Sequence, residues 1–220
     1  MAGLLVLDLD DTLYLESSYV KSGFRAVAAF LGSNPAQSEL YHRYLWQGFL
    51  NGVRTNAFNR LVDAFGIDAG IIPELIEIYR NHTPTISLAP DTDAVLSYDG
   101  ARRALVTDGF AHAQRKKIAA LGIAPAFEMI VVTGEYGPEW TKPSTRAFSL
   151  LQEKLEAERC VYVGDNPRKD FQGPRALGWA AVRIRRKDGV YSHLDGDPAI
   201  PEWPAFTPEC LNYLRTFLEG

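Results

Sequence analysis

Cysteine is scarce in this chain: Cys160 and Cys210 stand far apart, with no C-x-x-C spacing. That excludes a disulfide framework or a cysteine zinc site as the organising principle, and Cys160, which opens an apolar run, reads as a buried, inert thiol. The four histidines, His42, His82, His112 and His193, are scattered without metal-ligand or triad spacing. No apolar stretch approaches membrane-spanning length, and no charged leader precedes the first strand-like run, so a soluble, cytoplasmic protein with no membrane partner is expected. There is no repeat at a fixed period and no low-complexity tract. Charge of one sign is also lacking: the net charge is −4 and no basic block dominates, which argues against nucleic acid as a partner. The short basic clusters Arg102-Arg103, Arg115-Lys116-Lys117 and Arg183 through Lys187 read as solvated faces.

What the chain does have is acid at the ends of apolar runs. Leu4-Leu5-Val6-Leu7 breaks abruptly into Asp8-Leu9-Asp10-Asp11-Thr12-Leu13. This pattern predicts a fully buried parallel strand whose carboxyl end is the working end. Alternate residues share a face, so Asp8 and Asp10 leave the strand pointing the same way and Asp11 points away. Two close carboxylates repel unless a cation or a shared proton relieves them. A solvated turn with an acidic cap is the other reading of a lone D-x-D, and the remaining segments decide.

At 220 residues the chain has room for one α/β domain with a small insertion. Helical periodicity takes over after the first run. Val20, Phe24, Val27 and Leu31 mark a first helix after a Ser17-Ser18 cap. A second starts at Asn34-Pro35 with Leu40, Tyr41, Tyr44 and Leu45. A third holds Phe58, Leu61, Val62 and Phe65 and stops at Gly66, and a fourth starts near Pro73 with Leu75, Ile76 and Tyr79. Four helices without a strand between them predict a small bundle inserted into the chain. After Pro90, strand-like runs at Ala104–Thr107, Met129–Val132, Cys160–Val163 and Ala181–Ile184 alternate with helical stretches from His112 to Leu121, Ser144 to Leu155 and Asp170 to Leu177. The expected fold is α/β: a Rossmann-like parallel sheet with helices on both faces, plus a small α-helical bundle. The core is expected over residues 1–14 and 89–220, and the bundle over 15–88. In such sheets ligands lie beyond the carboxyl ends of the strands.

Three further segments fall at such ends. Val106-Thr107-Asp108-Gly109 offers a hydroxyl and free backbone N–H groups suited to phosphate oxygens. Lys142, just ahead of Pro143 and Ser144, can reach a phosphate and neutralise nearby carboxylates. Gly164-Asp165-Asn166-Pro167-Arg168-Lys169-Asp170 puts two acids on one strand-to-helix turn, hard oxygen donors that suit Mg²⁺. An N-cap for the following helix is the structural alternative for Asp170.

In order and placement these four segments resemble the four motifs of the haloacid dehalogenase superfamily of hydrolases, over nearly the whole chain, and the helical insertion resembles that superfamily's cap domain. The resemblance implies that Asp8 is a nucleophile forming an aspartyl-phosphate and Asp10 a general acid and then base. It implies Mg²⁺ held by Asp8, the Asp10 backbone carbonyl and Asp165. Thr107, Asp108, Gly109 and Lys142 would bind the transferring phosphoryl oxygens, and Asp170 would orient Lys142 or the metal waters. The acid at position 10 points to phosphate-ester chemistry, because the dehalogenases of the superfamily lack it. An Asp8 that stays ionised and an Asp10 able to carry a proton would divide the work.

The expected activity is a Mg²⁺-dependent phosphatase acting on a small-molecule phosphate ester, such as a sugar phosphate, a sugar-acid phosphate or a nucleotide, as monomer or homodimer. A phosphomutase of the same superfamily uses the same residues, and a phospho-accepting switch or binding module is the reading from another class. Substrate choice is expected in the insertion and its hinge, where Tyr14, Glu16, Arg25, Arg43, Trp46 and Gln47 lie, with Lys21 and Arg54 as the ligand contacts.

Overall fold

The computed structural model describes residues 3–219. The chain forms two compact units, one made of the chain up to Ser17 and from Ser87 onward, the other of Ser18–Ile86.

The first unit is built on six strands: β1 (Gly3–Leu7), β2 (Ala101–Thr107), β3 (Met129–Val132), β4 (Cys160–Gly164), β5 (Ala180–Ile184) and β6 (Glu202–Trp203). Their order is β3-β2-β1-β4-β5-β6, and every neighbouring pair is parallel. The first five follow the apolar runs, because strands covered on both faces need no polar alternation. Two residues long and set in a Pro-rich tail, β6 leaves no such pattern.

In the other unit, α1 (Glu16–Leu31), which starts just ahead of the break, is followed by α2 (Pro35–Leu50), α3 (Ala57–Phe65) and α4 (Ile72–Asn81). Asn34 caps α2 by accepting the Gln37 N–H at 3.0 Å, and Gly66 ends α3 in the left-handed region at φ 63°. The rings of Tyr19, Phe24, Phe58 and Tyr79 meet at centroid distances between 5.7 and 6.1 Å and fill the interior. Leu40 and Tyr44, expected inside, are exposed by 46% and 39%: Tyr41 and Leu45, one turn apart, form the buried stripe of α2 instead. The expected Ser17-Ser18 cap is also displaced. α1 starts earlier, at Glu16, whose N–H is accepted by the Asp11 carboxylate at 2.8 Å.

The sheet is covered by α5 (Thr92–Leu96), α6 (Ala111–Leu121), α7 (Arg146–Lys154), α8 (Gln172–Ala176) and α9 (Pro208–Leu218). Leu4, Val6, Ala104, Val106, Val131 and Tyr162 share one core with Ala147, Phe148 and Leu151 of α7. On β1, a Cβ at Gly3 would stand 2.8 Å from the Leu218 carbonyl oxygen, so glycine lets α9 approach the strand.

Three of the basic residues expected on solvated faces are buried: Lys117, Arg183 and Arg186. Arg183, on β5, donates to the carbonyls of Asp165, Leu194 and Tyr191 at 2.9, 2.9 and 3.0 Å and lies 3.2 Å from the Glu202 carboxylate. Arg186 donates to the Thr12 carbonyl at 2.7 and 3.1 Å and forks onto Asp91. Leu13 is pinned alongside, its carbonyl accepting the Thr92 hydroxyl at 2.7 Å and the Ala89 N–H at 3.0 Å. Buried cations persist when their donors find acceptors; here those acceptors are loop carbonyls and carboxylates distant in sequence, which side-chain patterning does not reveal.

Candidate active site

β1 lies between β2 and β4, so Asp8, Thr107 and Asp165 lie at the carboxyl ends of three neighbouring strands, where the chain changes direction across the sheet. Lys142 reaches them from the loop ahead of α7. Its buried Nζ is 2.7 Å from Asp8 Oδ1, 2.8 Å from Asp170 Oδ1 and 2.9 Å from the Tyr162 hydroxyl. Asp170 Oδ2 in turn accepts the backbone N–H groups of Asp165 and Asn166 at 3.1 and 2.7 Å. The N-cap alternative for Asp170 therefore fails: its carboxylate points back along the chain, and α8 starts after it without a side-chain cap. Gly164 is required here, since a Cβ would stand 2.6 Å from Asp170 Oδ2.

Asp10 has a separate set of partners. Its Oδ1 meets Lys117 Nζ at 2.7 Å and the Tyr14 hydroxyl, and its Oδ2 accepts from Gln114 Nε2 at 2.9 Å. The same Gln114 Nε2 donates to Thr107 Oγ1 at 2.5 Å. Gln114 and Lys117 went unseen in the sequence, although their spacing of three on a helix with Ala113 and Ile118 marks one buried face. Tyr14, expected to help choose the substrate, is instead fully buried as a partner of Asp10.

Electrostatically the two acids of β1 differ. Burial pushes Asp8 up to about 7 despite Lys142. Burial also works against ionisation of Asp10, but Lys117 and the donated hydrogen bonds hold it below the usual carboxylate range. These directions reflect the protein's own groups, whereas the expected division into an ionised Asp8 and a proton-carrying Asp10 includes a cation at Asp8. Burial likewise disfavours the charge on Lys142, yet Asp170 and Asp8 raise it well above the ordinary value. Asp165 is raised strongly by burial and by its carboxylate neighbours Asp170 and Asp8.

Oxygens of Asp8, Asp165 and Asp170 lie within 4.8 Å of one another. Around them and Asp10, five carboxylates with Asp108 meet three ammonium groups, those of Lys117, Lys142 and Lys169, leaving two formal negative charges uncompensated. Hard oxygen donors with that excess fit a divalent cation. Because Asp170 already spends both oxygens on Lys142 and backbone N–H groups, Asp8 and Asp165 are the carboxylates with capacity for it.

The Asp108 carboxylate accepts the Thr133 hydroxyl at 2.9 Å and the Lys142 N–H at 3.1 Å, and pairs with Lys169 at 2.8 Å. With these partners it fixes the loop between β2 and α6. Asp11 adopts the left-handed region at φ 53° and ties Glu16 to Val190 through their N–H groups at 2.8 and 2.6 Å. In the helical unit, Lys21 sits 5.2 Å over the Trp46 ring, in a cavity of about 390 Å³ with Arg25, Ser22 and Thr85. Arg54 lies on the Phe49 ring at 4.0 Å and donates to the Phe49 carbonyl, so part of its guanidinium is already engaged.

Comparison with known proteins places the chain in a family. A haloacid dehalogenase-like hydrolase family profile matches residues 3–178. The chain is 27% identical to a phosphoserine phosphatase of Thermus thermophilus, over 83% of this chain and 88% of that one. It is 29% identical to a glyceraldehyde 3-phosphate phosphatase of Methanocaldococcus jannaschii, over 88% of each. In fold it matches a magnesium-bound HAD-hydrolase of Bacillus subtilis, YfnB, with a TM-score of 0.67 at 19% identity, covering 97% of this chain and 98% of that one. With the family profile spanning most of its length and the acidic strand ends that the fold assembles, the chain belongs to the haloacid dehalogenase-like hydrolases.

Proposed function

We propose that this hydrolase is a magnesium-dependent phosphatase that removes phosphate from a small phosphorylated metabolite through an aspartyl-phosphate on Asp8. The observation that carries the reading is the pair of acids on β1 with independent partners: Asp8 with Lys142 at 2.7 Å, and Asp10 with Lys117 at 2.7 Å. One acid can thus become a phosphoryl acceptor while the other handles protons.

In the first half-reaction an Asp8 oxygen forms a bond to phosphorus as the ester P–O bond breaks, and Asp10 gives its proton to the departing oxygen. In the second, Asp10 takes a proton from water as the water oxygen attacks phosphorus and the bond to Asp8 breaks, releasing inorganic phosphate. Lys142, Thr107 and the backbone N–H groups near Gly109 bind the phosphoryl oxygens. Asp170 positions Lys142 through their 2.8 Å ion pair. Asp8, Asp165 and the Asp10 carbonyl would hold Mg²⁺, which supplies charge neutralisation for the phosphate and for the carboxylates around it.

The helical insertion, expected over residues 15–88, is read as a cap that grips the leaving group, with Lys21 as a candidate contact. The phosphatase names of the two relatives, matched over more than four-fifths of this chain, support the reaction class.

The test is phosphate release from a panel of sugar phosphates, sugar-acid phosphates and nucleotides with Mg²⁺. Activity that EDTA abolishes and that falls about 10²- to 10⁴-fold in Asp10→Asn is expected. Isomerised hexose phosphate with little free phosphate would replace the reading by a mutase. Release unaffected by EDTA would overturn the magnesium requirement.

A further inference from the structure

Gln114 and Lys117 are the polar residues on the buried face of α6, a helix that contributes none of the acids of the site. Both reach Asp10. Lys117 and Tyr14 hold Oδ1, while Gln114 holds Oδ2 and the Thr107 hydroxyl with one amide nitrogen. A lysine that is only 4% exposed and paired with a carboxylate at the end of β1 is costly to bury for packing alone.

We propose that Lys117 and Gln114 are positioning residues for proton transfer: they fix the rotamer of Asp10 and register it against the phosphoryl-binding hydroxyl of Thr107. This rests on the phosphatase reading above. The two oxygens of Asp10 are held unequally. Oδ1 has an ammonium and a phenol, whereas Oδ2 has one neutral amide, which is shared. A hydrogen bond to a charged donor is worth roughly twice a neutral one. Oδ2 is therefore the oxygen that exchanges its partner for the ester oxygen and later for water, while Oδ1 stays anchored to Lys117. The proton balance of each half-reaction is unchanged; the two residues neither give nor take a proton.

A role in placing Asp10 predicts a dependence on the leaving group that a merely structural role does not. Dinitrophenolate departs without a proton; phenolate needs one. The experiment follows aspartyl-phosphate formation and decay by acid quench in single turnover, with Mg²⁺, using phenyl phosphate and 2,4-dinitrophenyl phosphate. In Lys117→Met, phosphorylation by phenyl phosphate is expected to fall about 100-fold, the lower end of what acid–base catalysis contributes. Phosphorylation by the dinitrophenyl ester is expected to change by no more than a few fold. Phosphoenzyme from that ester is then expected to accumulate, because water lacks its positioned base. Gln114→Leu follows the same pattern with a smaller loss, and Lys117→Arg restores part of the phenyl phosphate rate.

An equal loss on both esters, or a phosphoenzyme that decays at the wild-type rate, would overturn the proposal. Should Lys117→Met fail to fold by circular dichroism, Gln114→Leu alone decides between these outcomes. Absence of phosphoenzyme and of turnover in the wild-type protein with either ester would instead remove the phosphatase reading itself.

Discussion

In the α/β unit, buried charges come with counter-charges: Lys142 with Asp8 and Asp170, Lys117 with Asp10, Arg186 with Asp91. In the helical unit, Arg43–Glu39 and Arg80–Glu77 lie along exposed helix faces one turn apart, and the interior is a cluster of aromatic rings. Exposed pairs of that kind contribute little and confer no chemistry. Buried pairs are a poor source of stability, because desolvation cancels much of their attraction. Their concentration at the strand ends marks where the fold bears a cost for a reaction, while the helical unit is built like an ordinary apolar bundle.

The sharpest contrast comes from substituting one interior residue in each unit. Phe24→Ala removes a buried ring packed on Phe58 and Tyr79 and is expected to cost about 3–5 kcal/mol in denaturant unfolding. Arg43→Ala in the same unit is expected to cost less than about 1 kcal/mol. If the two were equal, the aromatic description of the bundle would be wrong. Arg183→Met in β5 strands three carbonyls, including that of Asp165, and is expected to cost about 3 kcal/mol and to weaken magnesium binding. Unchanged metal affinity in calorimetry would separate β5 from the Asp165 loop.

The smallest effect is one of pH. Burial opposes ionisation of Asp91, but the Arg186 fork and the Phe206 N–H lower its pKa below 3.8. A lowered carboxylate contributes stability above its unfolded pKa and loses it as pH falls through the folded value. Melting temperature followed below about pH 4 is therefore expected to drop less steeply in Asp91→Asn than in the wild type. A parallel slope would mean that the Arg186–Asp91 pair is not part of the acid response.

How much of this could be read from sequence divides along the same line. The sheet was legible because β1, β2, β3, β4 and β5 are apolar runs, and the four helices of the other unit because their apolar spacing and their Asn34, Pro35, Pro73 and Gly66 punctuation follow local rules. Asp8, Asp10 and Asp165 stood out because they follow apolar runs, and Asp170 because it shares the strand-to-helix turn of Asp165. Lys117 and Arg183 were hidden inside basic clusters that look solvated, since a cation's burial depends on acceptors far away in sequence. Gln114 had no signal beyond its helical face. Exposed Leu40 and Tyr44 were misplaced for a related reason: periodicity gives an apolar stripe but not its width.

The most direct measurement is the covalent state of Asp8. Acid-quenched protein after a millisecond pulse of 2,4-dinitrophenyl phosphate and Mg²⁺, digested and weighed by mass spectrometry, is expected to carry one phosphoryl group on the peptide containing Asp8, absent in Asp8→Asn. Phosphate on another residue, or full turnover by Asp8→Asn, would contradict the assignment of Asp8 as the nucleophile.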